Sequence, residues 1–289
     1  MNSDRQKLRA KAFDYLFDAV VVTNSEGIIV DWNKGAEALY GYTEEEAIGQ
    51  TVSILHVPED LDHITSEVLS AVEKVGKWTG EVRMLHKDGS IGWIESMCVP
   101  IFDGNEKMIG ALGINRDITD RVNETERLRY LAQYDQLTQV PNRYLLFERI
   151  SHLIDQCERT KSSFSLVYFD LNNFKIINDT QGHAFGDLVL REVASRIKKS
   201  IRKSDTIGRI GGDEFVLLLE NTYKKGDINV AVETLASTIS KELPIESEVL
   251  HLSCSFGVAT YPYDGATTEE LLASADAAMY NDKSNGLTR

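Results

Sequence analysis

The run Arg209-Ile210-Gly211-Gly212-Asp213-Glu214-Phe215 places two glycines and two carboxylates between two β-rich stretches. The glycines make a tight hairpin turn. Without Cβ atoms they also let a ligand lie against the backbone. Asp213 and Glu214 follow at once, so at least one carboxylate stands at the exposed edge. Taken alone, such a run reads as a surface hairpin with solvated acids. A second run changes that reading: Phe164–Phe169 is a nearly continuous apolar strand ending in Asp170, an acid placed where a buried strand reaches the surface. Two acids on neighbouring strand ends can hold a hard divalent cation such as Mg²⁺, which prefers carboxylates and keeps positions for water and phosphate oxygens. Asn173-Phe174-Lys175 can supply backbone amides and one ammonium to phosphates. Asn178 and Asp187, further on, can together satisfy the acceptor and donor edges of a guanine.

The chain that must position these groups has 289 residues, enough for two domains with separate cores. Its 42% apolar and 26% charged content is that of a globular protein. No apolar run approaches the ~18 residues of a membrane span, and the polar first 13 residues lack the apolar core of a secretory signal. Cys98, Cys157 and Cys254 lie far apart with no CxxC pair. That spacing argues against a disulfide framework or structural zinc and fits a reducing cytosol. With 31 basic against 45 acidic residues the net charge is −14, a poor surface for nucleic-acid backbones or anionic membranes. The expectation is a cytoplasmic protein with neither nucleic acid nor membrane as partner. A small anion would need a local device: a metal, a few lysines or a helix N-terminus.

Residues 1–117 have the rhythm of a small antiparallel sheet interrupted by helices. Ala19–Thr23 and Ile28–Trp32 are short strands around the Ser25-Glu26-Gly27 turn. Thr43 to Glu46 has capping-box spacing, and Leu61–Val75 is a helix with Ile64, Val68, Leu69 and Val72 on one face. Glu81–Leu85, Ile91–Ile101 and Lys107–Arg116 close the unit through Asp88-Gly89 and Asp103-Gly104 turns. This order, with Asp31-Trp32-Asn33, Gly41-Tyr42-Thr43, Pro58-Glu59-Asp60, Trp78-Thr79-Gly80-Glu81, Lys87-Asp88-Gly89 and Arg116-Asp117-Ile118-Thr119, resembles the PAS sensor domain. The resemblance implies a module that binds a small ligand or a partner and passes a signal on. It does not name the ligand: His63 reads as packed or solvated, and core packing accounts for Trp32, Trp78 and Trp93 as well as a pocket would.

Residues 118–134 turn polar and helical. Ile118, Val122, Thr125, Leu128 and Leu131/Ala132 recur every three or four positions, which suits a short two-stranded coiled coil and equally an amphipathic helix lying on its own domain. Residues 135–289 alternate helix and strand: helices at Tyr144–Cys157, Asp187–Ser200, Ile228–Ile239 and Thr268–Tyr280, and strands at Phe164–Phe169, Thr206–Ile210, Glu214–Glu220 and Leu250–Thr260. Mixed order with antiparallel hairpins gives an α+β fold, helices on an antiparallel sheet.

The second domain resembles the GGDEF family of diguanylate cyclases. The matching motifs are Asp135-Gln136-Leu137-Thr138, Pro141-Asn142-Arg143, the Asp170–Lys175 run, Ile177-Asn178-Asp179, Gly182 to Asp187, the Gly-Gly-Asp-Glu-Phe signature, Ser255-Phe256-Gly257-Val258, and Ala275 to Tyr280 with Lys283. The resemblance implies a nucleotidyl-cyclase-like fold and condensation of two GTP into cyclic di-GMP between two facing domains, hence a homodimer, with Mg²⁺ or Mn²⁺ as cofactor. It makes Asp170 and Asp213 the metal-ligating carboxylates with the Leu171 carbonyl assisting, and Glu214 an acid that positions the attacking 3′-hydroxyl or the metal. Asn178 and Asp187 become guanine readers. Asn173, Phe174, Lys175 and Lys283 become phosphate contacts, beside the Gly211-Gly212 backbone. Arg202 and Asp205 match an inhibitory site for the product, although a capped helix end with an exposed ion pair explains an isolated R-x-x-D equally well. Three positions depart from the pattern: Asn172 where a second Asp is common, Asp213 where many members have Glu, and Leu287 in place of an arginine. A second reading is a module that binds GTP or cyclic di-GMP without turnover. A cyclase of another base preference is disfavoured by Asp187.

Overall fold

A computed structural model describes residues 2–246 and 248–284. The chain divides into two compact units, Met1–Arg127 and Leu128–Arg289. In the first, α1 (Asn2–Asp14) precedes β1 (Ala19–Asn24) and β2 (Ile29–Trp32). Then come α2 (Lys34–Tyr40), α3 (Glu44–Ala47), α4 (Leu61–Val75), β3 (Trp78–Leu85), β4 (Ile91–Phe102) and β5 (Met108–Asp117). The strands form one antiparallel sheet in the order β2-β1-β5-β4-β3. Its core is the set of inward residues Ile29, Trp32, Tyr40, Leu55, Met84 and Ile94. Local chemistry starts the helices. Asn33 accepts the Ala36 amide at the head of α2, and Thr43 with Glu46 closes both halves of a capping box on α3. Between sheet and α4 lies an apolar cavity of about 380 Å³, lined among others by Tyr40, Leu55, Ile64, Trp78 and Cys98. Trp78 therefore faces a cavity, while Trp32 is core and His63 is on the solvent side of α4.

Helix α5 (Thr119–Gln133) carries the chain from one unit to the next and buries no residue. The second unit runs α6 (Arg143–Thr160), β6 (Phe164–Leu171), α7 (Phe174–Gln181), α8 (His183–Ser200), β7 (Thr206–Gly211), β8 (Glu214–Leu219), α9 (Lys225–Ser240), β9 (Leu243–Ile245), β10 (Glu248–Leu250), β11 (Cys254–Tyr261) and α10 (Thr268–Ser284). Four strands make an antiparallel sheet, β11-β6-β8-β7. All eight residues of β6 are buried, because helices cover both faces of this sheet. Val167, Phe169 and Leu171 point into the cluster under α8 and α9, while Leu166 and Tyr168 point into the one under α6 and α10.

Two sequence expectations are corrected, and one helix is added. Residues 174–181, given no element by the sequence, form α7: Asn173 takes a left-handed conformation (φ 60°) and turns the chain directly from β6 into it. Helix α8 starts at His183, four residues before the expected Asp187, with His183 exposed. The expected strand Leu250–Thr260 is two elements, β10 pairing with β9 and β11 joining the main sheet. The departure at Leu287 lies outside the described residues.

Candidate active site

The site is assembled at the end of β6. Strand periodicity sends Asp170 to the same face as Leu166 and Tyr168, the face covered by α10. Asp170 is 7% exposed and sits directly opposite Glu214 of β8 and Ser255 of β11. Its Oδ2 accepts a hydrogen bond from Lys283 Nζ at 2.6 Å, while its buried Oδ1 has no partner among the described residues. That hydrogen bond raises the pKa of Lys283. Helix α10 delivers Lys283 because it lies almost on the backbone of β11. A Cβ on Gly257 would stand 1.9 Å from the Ala275 carbonyl oxygen and 2.3 Å from the Met279 nitrogen, so this approach needs a glycine. Asp282 Oδ2 fixes the helix end by accepting the Phe256 N–H at 3.1 Å.

The hairpin brings the second acid. Gly211 pairs with Glu214, leaving Gly212-Asp213 as a two-residue turn with Gly212 at φ 52°. Burial raises the pKa of Asp213, and the negative charge of Asp170 adds to it, against the opposing pull of Lys283 and Arg209. Arg209 holds the turn: its Nε and Nη2 donate to the Gly212 carbonyl at 2.9 and 2.7 Å, and its Nη1 donates to Asp135 Oδ1 at 2.9 Å. Asp135 also accepts the Thr138 N–H and hydroxyl at 2.9 and 2.6 Å. Burial alone would push that carboxyl up, but these bonds outweigh it and hold it low. Glu214 Oε2 accepts a hydrogen bond from the Tyr168 hydroxyl at 3.1 Å.

Because α7 follows β6 so closely, Phe174 and Lys175 open a helix within five residues of Asp170, and their amides have no helical partner. Phe174 is buried under α8, whereas Lys175 is exposed. Asn178 and Asp187 come together through Gly186. A Cβ there would lie 1.9 Å from Asn178 Oδ1, so the carboxamide packs onto that backbone one residue before Asp187. Asn172 bonds to serines of β11 and the segment before it. It accepts the Ser255 hydroxyl at 2.9 Å and donates to Ser253 Oγ at 3.2 Å, tying β6 to β11. Arg202 and Asp205 stand apart from this cluster in sequence and fold, on the turn after α8. The Asp205 N–H donates to the Arg202 carbonyl at 3.0 Å, and both residues line a pocket of about 460 Å³ with Leu217, Asn221 and Asp227.

Among the described residues no three His, Cys, Asp or Glu side chains gather at metal-holding distance. Mg²⁺ does not require three, since it is commonly held by one or two carboxylates plus substrate phosphates and water. The free, buried Oδ1 of Asp170 and the Asp213 carboxylate are hard oxygen donors that fit it. Arg209, Asp135 and Tyr168 were not singled out by sequence reasoning as part of the site. For Arg209 a signal existed, its place two residues before the glycines. For Tyr168 it was a polar-tipped aromatic within an otherwise apolar strand.

An antiparallel sheet between helical layers, with acids at a Gly-Gly hairpin and at the end of the central strand, places the second unit among nucleotidyl-cyclase-like α+β domains. Residues 132–289 match the model for the diguanylate cyclase GGDEF domain, and residues 29–115 match the PAS fold. The chain belongs to the GGDEF family, with a PAS domain ahead of the GGDEF domain. It is 44% identical over 168 residues to the bifunctional diguanylate cyclase/cyclic di-GMP phosphodiesterase MucR of Pseudomonas aeruginosa, covering 58% of this chain and 24% of MucR. It is 31% identical over 287 residues to the cyclic di-GMP phosphodiesterase PdeR of Escherichia coli, covering 93% of this chain and 40% of PdeR. The chain thus spans between a quarter and two-fifths of the length of these relatives. The crystal structure of the coiled coil and GGDEF domain of DgcB from Caulobacter crescentus in complex with c-di-GMP superposes with a TM-score of 0.53 at 27% identity, over 58% of this chain and 89% of that one. These likenesses place residues 132–289 in the GGDEF family of diguanylate cyclase domains and residues 29–115 in the PAS fold. No described helix is long and apolar enough to cross a membrane.

Proposed function

We propose that the GGDEF unit is an active diguanylate cyclase: two GTP molecules, one on each of two facing domains of a cytoplasmic homodimer, condense to cyclic di-GMP and two pyrophosphates. Each 3′-oxygen forms a bond to the other nucleotide's α-phosphorus, the bond from that phosphorus to the β-phosphate bridge breaks, and the hydroxyl proton is lost. The single observation that carries this reading is the buried Asp170 carboxylate, with one oxygen free, facing Glu214 across the sheet beside the Gly-Gly turn. Asp170 and Asp213, with the Leu171 carbonyl, would hold Mg²⁺ or Mn²⁺. Such an ion, when bound, neutralises charge on the transferring phosphoryl group and activates the nucleophile. Asn178 and Asp187 read guanine. The Gly211-Gly212 backbone, the α7 amides of Phe174 and Lys175 with Asn173, and Lys283 orient the triphosphate, and Glu214 orients the hydroxyl. Most of the acceleration then comes from positioning and fixed charge.

In this reading the exposed Arg202 and the half-buried Asp205 bind the product and restrain further turnover, and the PAS cavity or its partner sets how often two loaded domains meet through α5. The c-di-GMP bound to the DgcB GGDEF domain supports a product-binding role. A second reading has its own support: PdeR, a phosphodiesterase by name, matches this chain over 93% of its length, so a module that binds nucleotide without turnover fits the same likeness. The two separate when purified protein is incubated with GTP and Mg²⁺ beside an Asp213→Ala variant and the nucleotides are resolved by chromatography. Cyclic di-GMP that disappears in the variant is the result expected. GTP binding with no product would leave two readings, a cyclase awaiting its PAS signal and a module that binds without turnover.

A further inference from the structure

Three charged groups share one end of the α10 face of the sheet: Asp170 on β6, Glu214 directly opposite on β8, and Lys283 on α10. The charges of Asp213 and Glu214 act on the ammonium as well as that of Asp170. Among the described residues Lys283 is bonded to Asp170, and Glu214 accepts instead from the Tyr168 hydroxyl at 3.1 Å. We propose that Tyr168 is a positioning residue that holds the Glu214 carboxylate off Lys283, so that the lysine stays with Asp170 and Glu214 stays at the reacting edge.

The geometry is specific. Tyr168 precedes Asp170 by two residues, so it shares its face, and it is the diagonal neighbour of Glu214 across the β6–β8 pair, within reach of a long aromatic side chain. Its ring is 7% exposed, packed in the cluster with Leu146, Leu166 and Ala275, so the hydroxyl is delivered from a fixed platform. A carboxylate can only accept here, which makes the tyrosine the donor. Arg143, at the head of α6, also acts on the hydroxyl and lies over the Phe147 ring.

This proposal rests on the cyclase reading, and its test separates the two. Tyr168→Phe removes one oxygen and keeps the ring. In the full chain it is expected to lower kcat about five- to tenfold, the effect of losing one such hydrogen bond, with KM for GTP changed less than about twofold. In a Glu214→Asp background, whose shorter arm no longer meets the hydroxyl, the same substitution is expected to change little, a non-additivity that general weakening of the core would not give. Unchanged turnover in Tyr168→Phe, or an equal loss in both backgrounds, would overturn the proposal. Wild-type protein without product would count against the cyclase reading instead. The pairing is then read from the melting temperatures of the same four proteins, where coupling between the two sites upholds the hydroxyl's hold on Glu214 and additivity overturns it.

Discussion

Replacing Lys283 by alanine tests whether the acidic cluster is held together by charge. The ammonium is 2.6 Å from Asp170 Oδ2, and the two side chains are 47% and 10% exposed. An exposed ion pair contributes about 0.2–1 kcal/mol, whereas removing one partner of a fully buried pair costs about 3–5 kcal/mol. A pair buried on the acid's side alone falls between these, at about 1–2 kcal/mol. The substitution leaves Asp170 with both oxygens unpaired, since Oδ1 already lacks a partner, and close enough to Asp213 for its charge to act there. For a unit of this size each kcal/mol moves the melting point by about 2–4 °C, so Lys283→Ala should melt about 2–8 °C lower in metal-free buffer by calorimetry of the full chain. Asp170→Asn added to it should recover most of that loss, because a neutral amide needs no cation. Melting points that stay put in Lys283→Ala, or losses that simply add in the double variant, would show that the ion pair contributes nothing and that the argument is wrong.

Three further outcomes follow from the same geometry. Asp213→Asn should raise the melting point of the metal-free protein at neutral pH by about 1–3 °C. Folding raises the pKa of Asp213, so its ionised form opposes folding, and the gain should fade as pH falls through the carboxylate range and the native aspartate protonates. Gly186→Ala puts a methyl group where Asn178 Oδ1 now lies, 1.9 Å away. It should raise KM for GTP about tenfold or more with a smaller change in kcat, read by initial rates. Arg202→Ala should leave initial turnover intact and abolish the slowing seen as cyclic di-GMP accumulates, followed in progress curves with added product.

Much of the second unit was legible because its elements carry strong local signals. The apolar β6 run and the Gly-Gly hairpin appear near their expected bounds, the helices appear with ends shifted by up to four residues, and in the first unit Thr43 to Glu46 forms the capping box its spacing implies. The two acids were likewise readable as lying at strand ends, while the β6–β8 register sets Asp170 across from Glu214. Helix α7 was missed because it begins on a left-handed asparagine with no side-chain cap, so nothing in the sequence marks its start. The split between β10 and β11 was missed because an apolar run of this length looks continuous whichever partner each half pairs with. The roles of Arg209 and Tyr168 depend on which side chains meet across strands, which register decides and composition does not.

The account's central claim is that two GGDEF domains must each hold a competent site for one product to form. Co-expressing wild-type and Asp213→Ala chains in equal amounts and measuring cyclic di-GMP formation per wild-type chain tests this directly. If chains pair at random, half of the wild-type chains acquire an inactive partner, and the rate per wild-type chain should fall to about half that of the pure protein. A rate per wild-type chain that does not fall would contradict the two-domain mechanism.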